Sequence, residues 1–303
     1  MNSSSFRSLV ALLVGFSLLA AACSESEATG PRVNKSGTRE LHHRHEGGFP
    51  HYIGHFEAEE VSNTAREEPA STSGLEWFGG ALHESVASGD KSSIAKIDAE
   101  SGEVVNQVSL ADGDIGAGLT FFDGRLYQLT RESNNVLVYE TETLSVVDSL
   151  PFDGEGRGLC NSDGNYFVMS DGSSKLTVRN LETFEIENEI TVELNEKEVS
   201  GLDELECIDD QVWATIDDTE DVERGSTIVV INVASFDDNA VEKSTTEVEA
   251  TVDASQIVPE ELEDDSNVTL SGIALRPDDG SLWLTGPGWP ATYQVRLVPV
   301  DVE

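Results

Sequence analysis

From Ser73 onward the chain repeats one phrase five times, and this repetition constrains the fold more than any other feature. Each copy has a Gly-Leu-like start, an apolar stretch, a turn and a second strand. The first reads Gly74-Leu75-Glu76-Trp77-Phe78, Gly79-Gly80, Ala81-Leu82-His83, and the second Gly118-Leu119-Thr120-Phe121-Phe122, Asp123-Gly124, Arg125-Leu126-Tyr127. The third is Gly158-Leu159-Cys160, Asp163-Gly164, Tyr166-Phe167-Val168, and the fourth Glu204-Leu205-Glu206-Cys207-Ile208, Asp209-Asp210, Val212-Trp213-Ala214. The fifth is Gly272-Ile273-Ala274-Leu275, Asp279-Gly280, Leu282-Trp283-Leu284. Asp-Gly between apolar runs signals a hairpin, because both turn positions favour positive φ. Further strands follow in the copies, as in Ile94–Ile97 with Val104-Val105, and Val136–Tyr139 with Val146-Val147. Four short antiparallel strands in each repeat of about 40–45 residues match the blade of a propeller. The sequence therefore predicts an all-β fold over 49–303: a five-bladed β-propeller with four-stranded antiparallel blades. The last copy ends near Leu297 without an outer strand. The segment His51–Val61 is expected to supply it, so that an N-terminal strand closes the ring. Part of the acidic stretch Asp237–Ser266 reads as an insertion between blades, and Pro259–Glu263 as a single helical turn.

The two ends of the charge scale are unequal: 18 Lys and Arg face 58 Asp and Glu, a formal net charge of -40. Such a surface repels phosphate backbones, which excludes nucleic acid as a partner. The charges run along the whole chain, so the self-repulsion is general. At about 1 M salt the Debye length is roughly 3 Å, which would relieve it, and a saline environment is the expectation.

Residues 1–22 read as an export signal. Arg7 precedes the apolar run Leu9–Ala22, which is too short to span a bilayer comfortably. The run ends in Leu19-Ala20-Ala21-Ala22-Cys23, small residues before a cysteine, which suits a lipoprotein signal peptide with Cys23 as the lipidated first residue. Residues 23–48 read as a flexible tether. The chain is thus expected to be exported and held at the membrane by the lipid alone, facing the periplasm or exterior, or secreted if not lipidated. The run His42-His43-Arg44-His45 reads as solvated linker, and neither a metal nor another cofactor is expected. Cys160 and Cys207 would permit one disulfide in an exported protein. They are offset by one position in successive copies, which points them to opposite faces of their strands, so two separate buried thiols are expected.

The phrases in order resemble the glutaminyl cyclases of plants and bacteria, a five-bladed propeller family. Leu82-His83-Glu84-Ser85, Leu126-Tyr127-Gln128, Ser170-Asp171-Gly172, Asp203-Glu204-Leu205-Glu206, and Gly272-Ile273-Ala274 with Thr285-Gly286 and Trp289-Pro290 match its successive blades. The resemblance implies cyclisation of an N-terminal glutamine, in which the α-amine attacks the side-chain amide carbon and ammonia leaves. That reaction needs a proton shuttle, which contributes roughly 10²–10⁴-fold. The resemblance places the shuttle glutamate in a Gly-Glu-Gly-Leu motif, which reads Gly116-Ala117-Gly118-Leu119 here. Other pocket positions also depart from the family. Ser73 stands for a glutamine, Ser71 for a phenylalanine, Arg131, Arg157 and Asp217 for tryptophans, Asp203 for an asparagine and Pro287 for a lysine. Trp289 keeps the family residue and is a candidate to line the mouth. Glu84, Asp171 and Glu204 are also retained and are expected to make structural hydrogen bonds, and Trp77, Trp213 and Trp283 to lie in the core.

The altered pocket leaves three readings. A degenerate, non-catalytic propeller would bind a peptide or small anionic ligand at its central mouth, with Arg131 and Arg157 recognising a carboxylate. Alternatively those arginines simply pair with Asp203 and Asp217. An active cyclase would need a substitute shuttle, for which Asp203 is the candidate, and a purely structural envelope protein would use its faces and not its mouth.

Overall fold

The computed structural model describes residues 51–66, 68–217, 226–233, 236, 244–262 and 269–300. The signal, Cys23, the tether, the histidine run and parts of 237–266 lie outside the described residues.

The fold is all-β, and the turn chemistry of the repeats explains its hairpins. Strand β1 (Gly54–Ala65) is followed by a sheet of β2 (Thr72–Phe78), β3 (Ala81–Val86), β4 (Ser93–Ile97) and β5 (Val104–Ser109), antiparallel in that order. A second sheet contains β6 (Gly116–Phe122), β7 (Arg125–Thr130), β8 (Asn135–Glu140) and β9 (Val146–Pro151). Next come β10 (Leu159–Ser162), β11 (Tyr166–Ser170), β12 (Lys175–Arg179) and β13 (Ile186–Leu194), with the short β14 (Lys197–Glu198) folded back on β13. Then β15 (Leu202–Ile208), β16 (Gln211–Ile216), β17 (Thr227–Asn232) and β18 (Ser244–Asp253) pair in series, and so do β19 (Gly272–Arg276), β20 (Ser281–Thr285) and β21 (Ala291–Val300). In the turns, Asp123-Gly124 adopts φ of 44° and 77° and Asp163-Gly164 of 45° and 72°, the positive pairs that the hairpins require.

β1 pairs antiparallel with β21, from His55 opposite Val300 to Ala65 opposite Ala291. The acidic stretch after Asp237 holds β18, the outer strand of the fourth repeat, where the sequence suggested in part an insertion. Outer strands β13 and β18 also pair in parallel, as do β18 and β1. Short 3₁₀ turns occur at Gly89–Lys91, Ser255–Ile257 and Glu260–Leu262.

The core lies between consecutive sheets. Ile94, Leu119, Leu126 and Tyr139 pack between the first two, and Leu129, Phe152, Leu159 and Phe167 between the second and third. Val168, Leu202 and Val212 fill the next gap, Trp213, Ile273 and Leu284 the one after. Trp77, Leu82, Ala274 and Trp283 join the last strands to the first sheet. The Gly-Leu starts follow from crowding where the inner strands converge. A Cβ on Gly118 would stand 2.6 Å from the Gly158 Cα, and one on Gly158 only 2.1 Å from the Asp203 carbonyl oxygen, so neither position admits a side chain.

Cys160 and Cys207 form a disulfide, with their Cα atoms 5.4 Å apart, so the expectation of two thiols is corrected. Sheets that pack face to face present opposite faces to one another. The offset by one position therefore turns Cys160 on β10 and Cys207 on β15 toward the same gap. The bridge spans a sequence separation of 47. Replacing both cysteines by alanine is expected to lower stability by about 3 kcal/mol, read by denaturant unfolding; equal midpoints would refute this.

Candidate functional site

The structure brings four of the sequence-predicted site residues together. Arg157 lies just before β10, and its backbone is pinned on both sides: its N–H donates to the Ser170 carbonyl at 3.0 Å, and its carbonyl accepts from Gly118 N–H at 2.6 Å. Its Nη1 lies 3.1 Å from Asp217 Oδ2 and 3.4 Å from Asp203 Oδ1. Arg157 is thus occupied by the two aspartates, as the pairing alternative expected. Arg131, placed after β7 by its N–H donating to the Ile115 carbonyl at 2.9 Å, differs. Among the described residues no carboxylate lies within 4.0 Å of it, and its buried Nε has no hydrogen-bond partner.

These charged groups act on one another. Burial lowers the proton affinity of Arg131, Asp203 raises it, and Arg157 lowers it. Asp203 is nearly covered, and burial holds its carboxyl above the usual range despite the Arg157 guanidinium beside it. Arg157 itself is shifted up: burial works against this, but the nearby Asp203 and Asp217 outweigh it. Glu204 rises well above an ordinary glutamate, through burial and then the Asp203 charge, and its buried Oε2 has no hydrogen-bond partner among the described residues.

The remaining candidates stand elsewhere or are already engaged. Ala117 is fully buried in the apolar cluster with Leu129, Phe152 and Leu159, so the position that the resemblance gives to the shuttle is a covered methyl group. Ser73 is also buried, and its hydroxyl donates to the Gly116 carbonyl at 2.9 Å, tying β2 to β6. Pro287 sits half-buried in the turn between Gly286 and Trp289. Trp289 corrects the expectation that it lines an open mouth. It is fully buried in the apolar cluster with Leu270 and Leu284, edge-on to Tyr293 at 5.6 Å. Asp171 caps its own turn, accepting from Ser173 N–H at 2.9 Å.

Glu84 and Glu204 make the structural hydrogen bonds expected of them, and two features go beyond that expectation. The first is a set of buried glutamates that bridge inner strands. Glu76 Oε2 accepts from Phe121 N–H at 3.1 Å, Glu204 Oε1 from Leu75 N–H at 3.2 Å, and Glu206 Oε1 from Leu275 N–H at 3.1 Å. Each satisfies an N–H on an inner strand of another sheet, where an orphan donor would be costly. The available signal was a glutamate inside an apolar run, Leu75-Glu76-Trp77 and Leu205-Glu206-Cys207. The second is the buried pair of Arg66 and Glu84, which nothing in the local sequence announces.

A family model described as glutamine cyclotransferase matches residues 41–297. The chain belongs to the glutamine cyclotransferase family. A glutaminyl-peptide cyclotransferase from Arabidopsis thaliana is 29% identical over 250 residues, covering 80% of this chain and 71% of the plant protein. The crystal structure of a Myxococcus xanthus glutaminyl cyclase superposes with a TM-score of 0.68 at 27% identity, covering 82% of this chain and 99% of that one. At its candidate mouth this chain carries Arg131, Arg157, Asp203 and Asp217.

Proposed function

We propose that this glutamine cyclotransferase family member is a five-bladed propeller, closed by β1 and displayed outside the membrane on a lipid at Cys23. Its mouth binds a carboxylate-bearing peptide or small anion and does not cyclise glutamine. The five-bladed reading is supported by the serial pairing of strands in the repeats, by apolar clusters between successive sheets including the last and the first, and by β1 beside β21. The observation that carries loss of catalysis is Ala117, a methyl fully enclosed by apolar neighbours where the family resemblance implies the proton shuttle. Ligand binding is supported by Arg131, whose guanidinium has no carboxylate within 4.0 Å among the described residues, while Arg157 has two.

One observation favours a second reading, an active cyclase using Asp203: burial raises the carboxyl of that residue toward the range of a working acid–base group. Incubation with a Gln-initiated peptide separates the two. The expected result is no ammonia release above the uncatalysed rate, together with thermal stabilisation by small carboxylates at constant ionic strength that Arg131→Gln abolishes. Turnover that Asp203→Asn removes would establish the second reading, and stability indifferent to every carboxylate tested would remove the binding role.

A further inference from the structure

Strand β5 differs from the other outer strands of the fold. Its sequence Val104-Val105-Asn106-Gln107-Val108-Ser109 has no charged residue, and the uncharged run continues through Ala111, between Glu103 and Asp112. The outer strands β1, β13 and β18 carry several carboxylates each, and β9 carries Asp148 and ends in Pro151.

The edge of β5 is also open. Outer strands β13, β18 and β1 are hydrogen-bonded to one another, whereas β5 pairs only with β4 among the described residues. Val104 and Val105 are 46% and 61% exposed. Leu110 N–H is turned inward to the Ser92 carbonyl. Backbone alternation from there turns the N–H groups of Ser109 and Gln107 outward. Natural sheets usually guard such an edge with charge, proline or a bulge. Here a bulge distorts the Val104 end of the ladder, while Asn106–Ser109 continues in register with β4.

We propose that β5 is a self-association edge, where two copies of this chain pair antiparallel through a two-fold axis to form one continuous sheet. A pairing centred on Gln107 sets Gln107 opposite its own copy, Val105 opposite Ser109 and Glu103 opposite Ala111 of the second copy. No acid then faces an acid directly, so this edge is where two bodies of formal charge -40 meet with least local repulsion. The remaining repulsion is long-range, and it is screened at about 1 M salt, where the Debye length is roughly 3 Å. Dimerisation is therefore salt-promoted.

Mass measurement by light scattering after size exclusion, over a concentration series in low and high KCl, tests this. The expected result is a two-fold rise in mass at high salt. Two variants carry the test. Gln107→Pro removes the outward N–H together with the Gln107 Nε2 hydrogen bond to Ser93 Oγ, whereas Val105→Lys leaves the backbone intact and places a charge at the exposed edge; both are expected to stay monomeric with unchanged circular dichroism. A wild type that remains monomeric at high salt overturns the proposal, as does a dimer that survives in both variants.

Discussion

Glu84→Ala is expected to destabilise the folded chain by about 3–5 kcal/mol, the range for breaking a buried ion pair from one side. Arg66 and Glu84 meet at 2.6 Å with side chains only 6% and 3% exposed. Arg66 follows β1, and its own N–H donates to the Pro290 carbonyl at 2.9 Å. Its Nη2 donates to Thr292 Oγ1 at 3.1 Å, and Glu84 on β3 also accepts from the Thr72 hydroxyl. The pair therefore joins the first sheet to the last strands. Alanine at 84 would leave the guanidinium buried without its counter-charge. The double change Arg66→Met, Glu84→Leu removes both charges and is expected to be milder than either single change, because the desolvation of both ions disappears with their attraction. Chemical denaturation at high salt measures the wild type, Glu84→Ala, each single change and the double variant. A loss under about 1 kcal/mol in Glu84→Ala, the range of an exposed pair, would show that the pair does not hold this seam.

The sheets were legible because their signals are local. Asp123-Gly124 and Asp163-Gly164 set their own turns, and the glycines at Gly118 and Gly158 mark crowding at the convergence of inner strands. The grouping of Arg131, Arg157, Asp203 and Asp217 was legible through the family resemblance, which assigns all four to pocket positions, and they stand within one another's electrostatic reach. What failed needed knowledge of how sheets face one another. The faces of Cys160 and Cys207 were read correctly within each strand, but opposite faces of neighbouring sheets share a gap, and the thiols joined. Trp289 was assigned by phrase to the mouth, yet its large apolar surface is buried against Tyr293 and Leu284. Arg66 was unreadable because its partners Glu84, Thr285 and Thr292 are distant in sequence and meet only when the ends of the chain do.

The second large effect lies in pH. Lowering the pH from about 8 toward 5 is expected to stabilise the protein, opposite to the acid lability of a fold held by ionised carboxylates. Burial raises Glu76 from 4.5 to about 7, and it raises Glu204 and Glu206 well above the ordinary value, with Glu76 adding to the effect on Glu206. In the unfolded chain these groups ionise in the usual carboxylate range. Between the two values the native state holds protons that the unfolded state has released. The stabilisation is complete below the unfolded value and is lost as the pH rises through the folded one. His83 opposes it: burial first, then Lys96, lowers its value from 6.5 to about 4, so its contribution is lost as the pH falls through that window. Glu76 and His83 act in opposite directions, and the net trend rests on Glu204 and Glu206. Surface repulsion would produce the same sign, so the profile is measured at about 1 M salt, where the Debye length is roughly 3 Å. Glu206→Gln keeps the acceptor for Leu275 N–H and removes the titration. That variant is expected to exceed the wild type in stability at the alkaline end and to converge with it at the acidic end. Parallel profiles for the two proteins would mean that Glu206 carries no proton into the folded state.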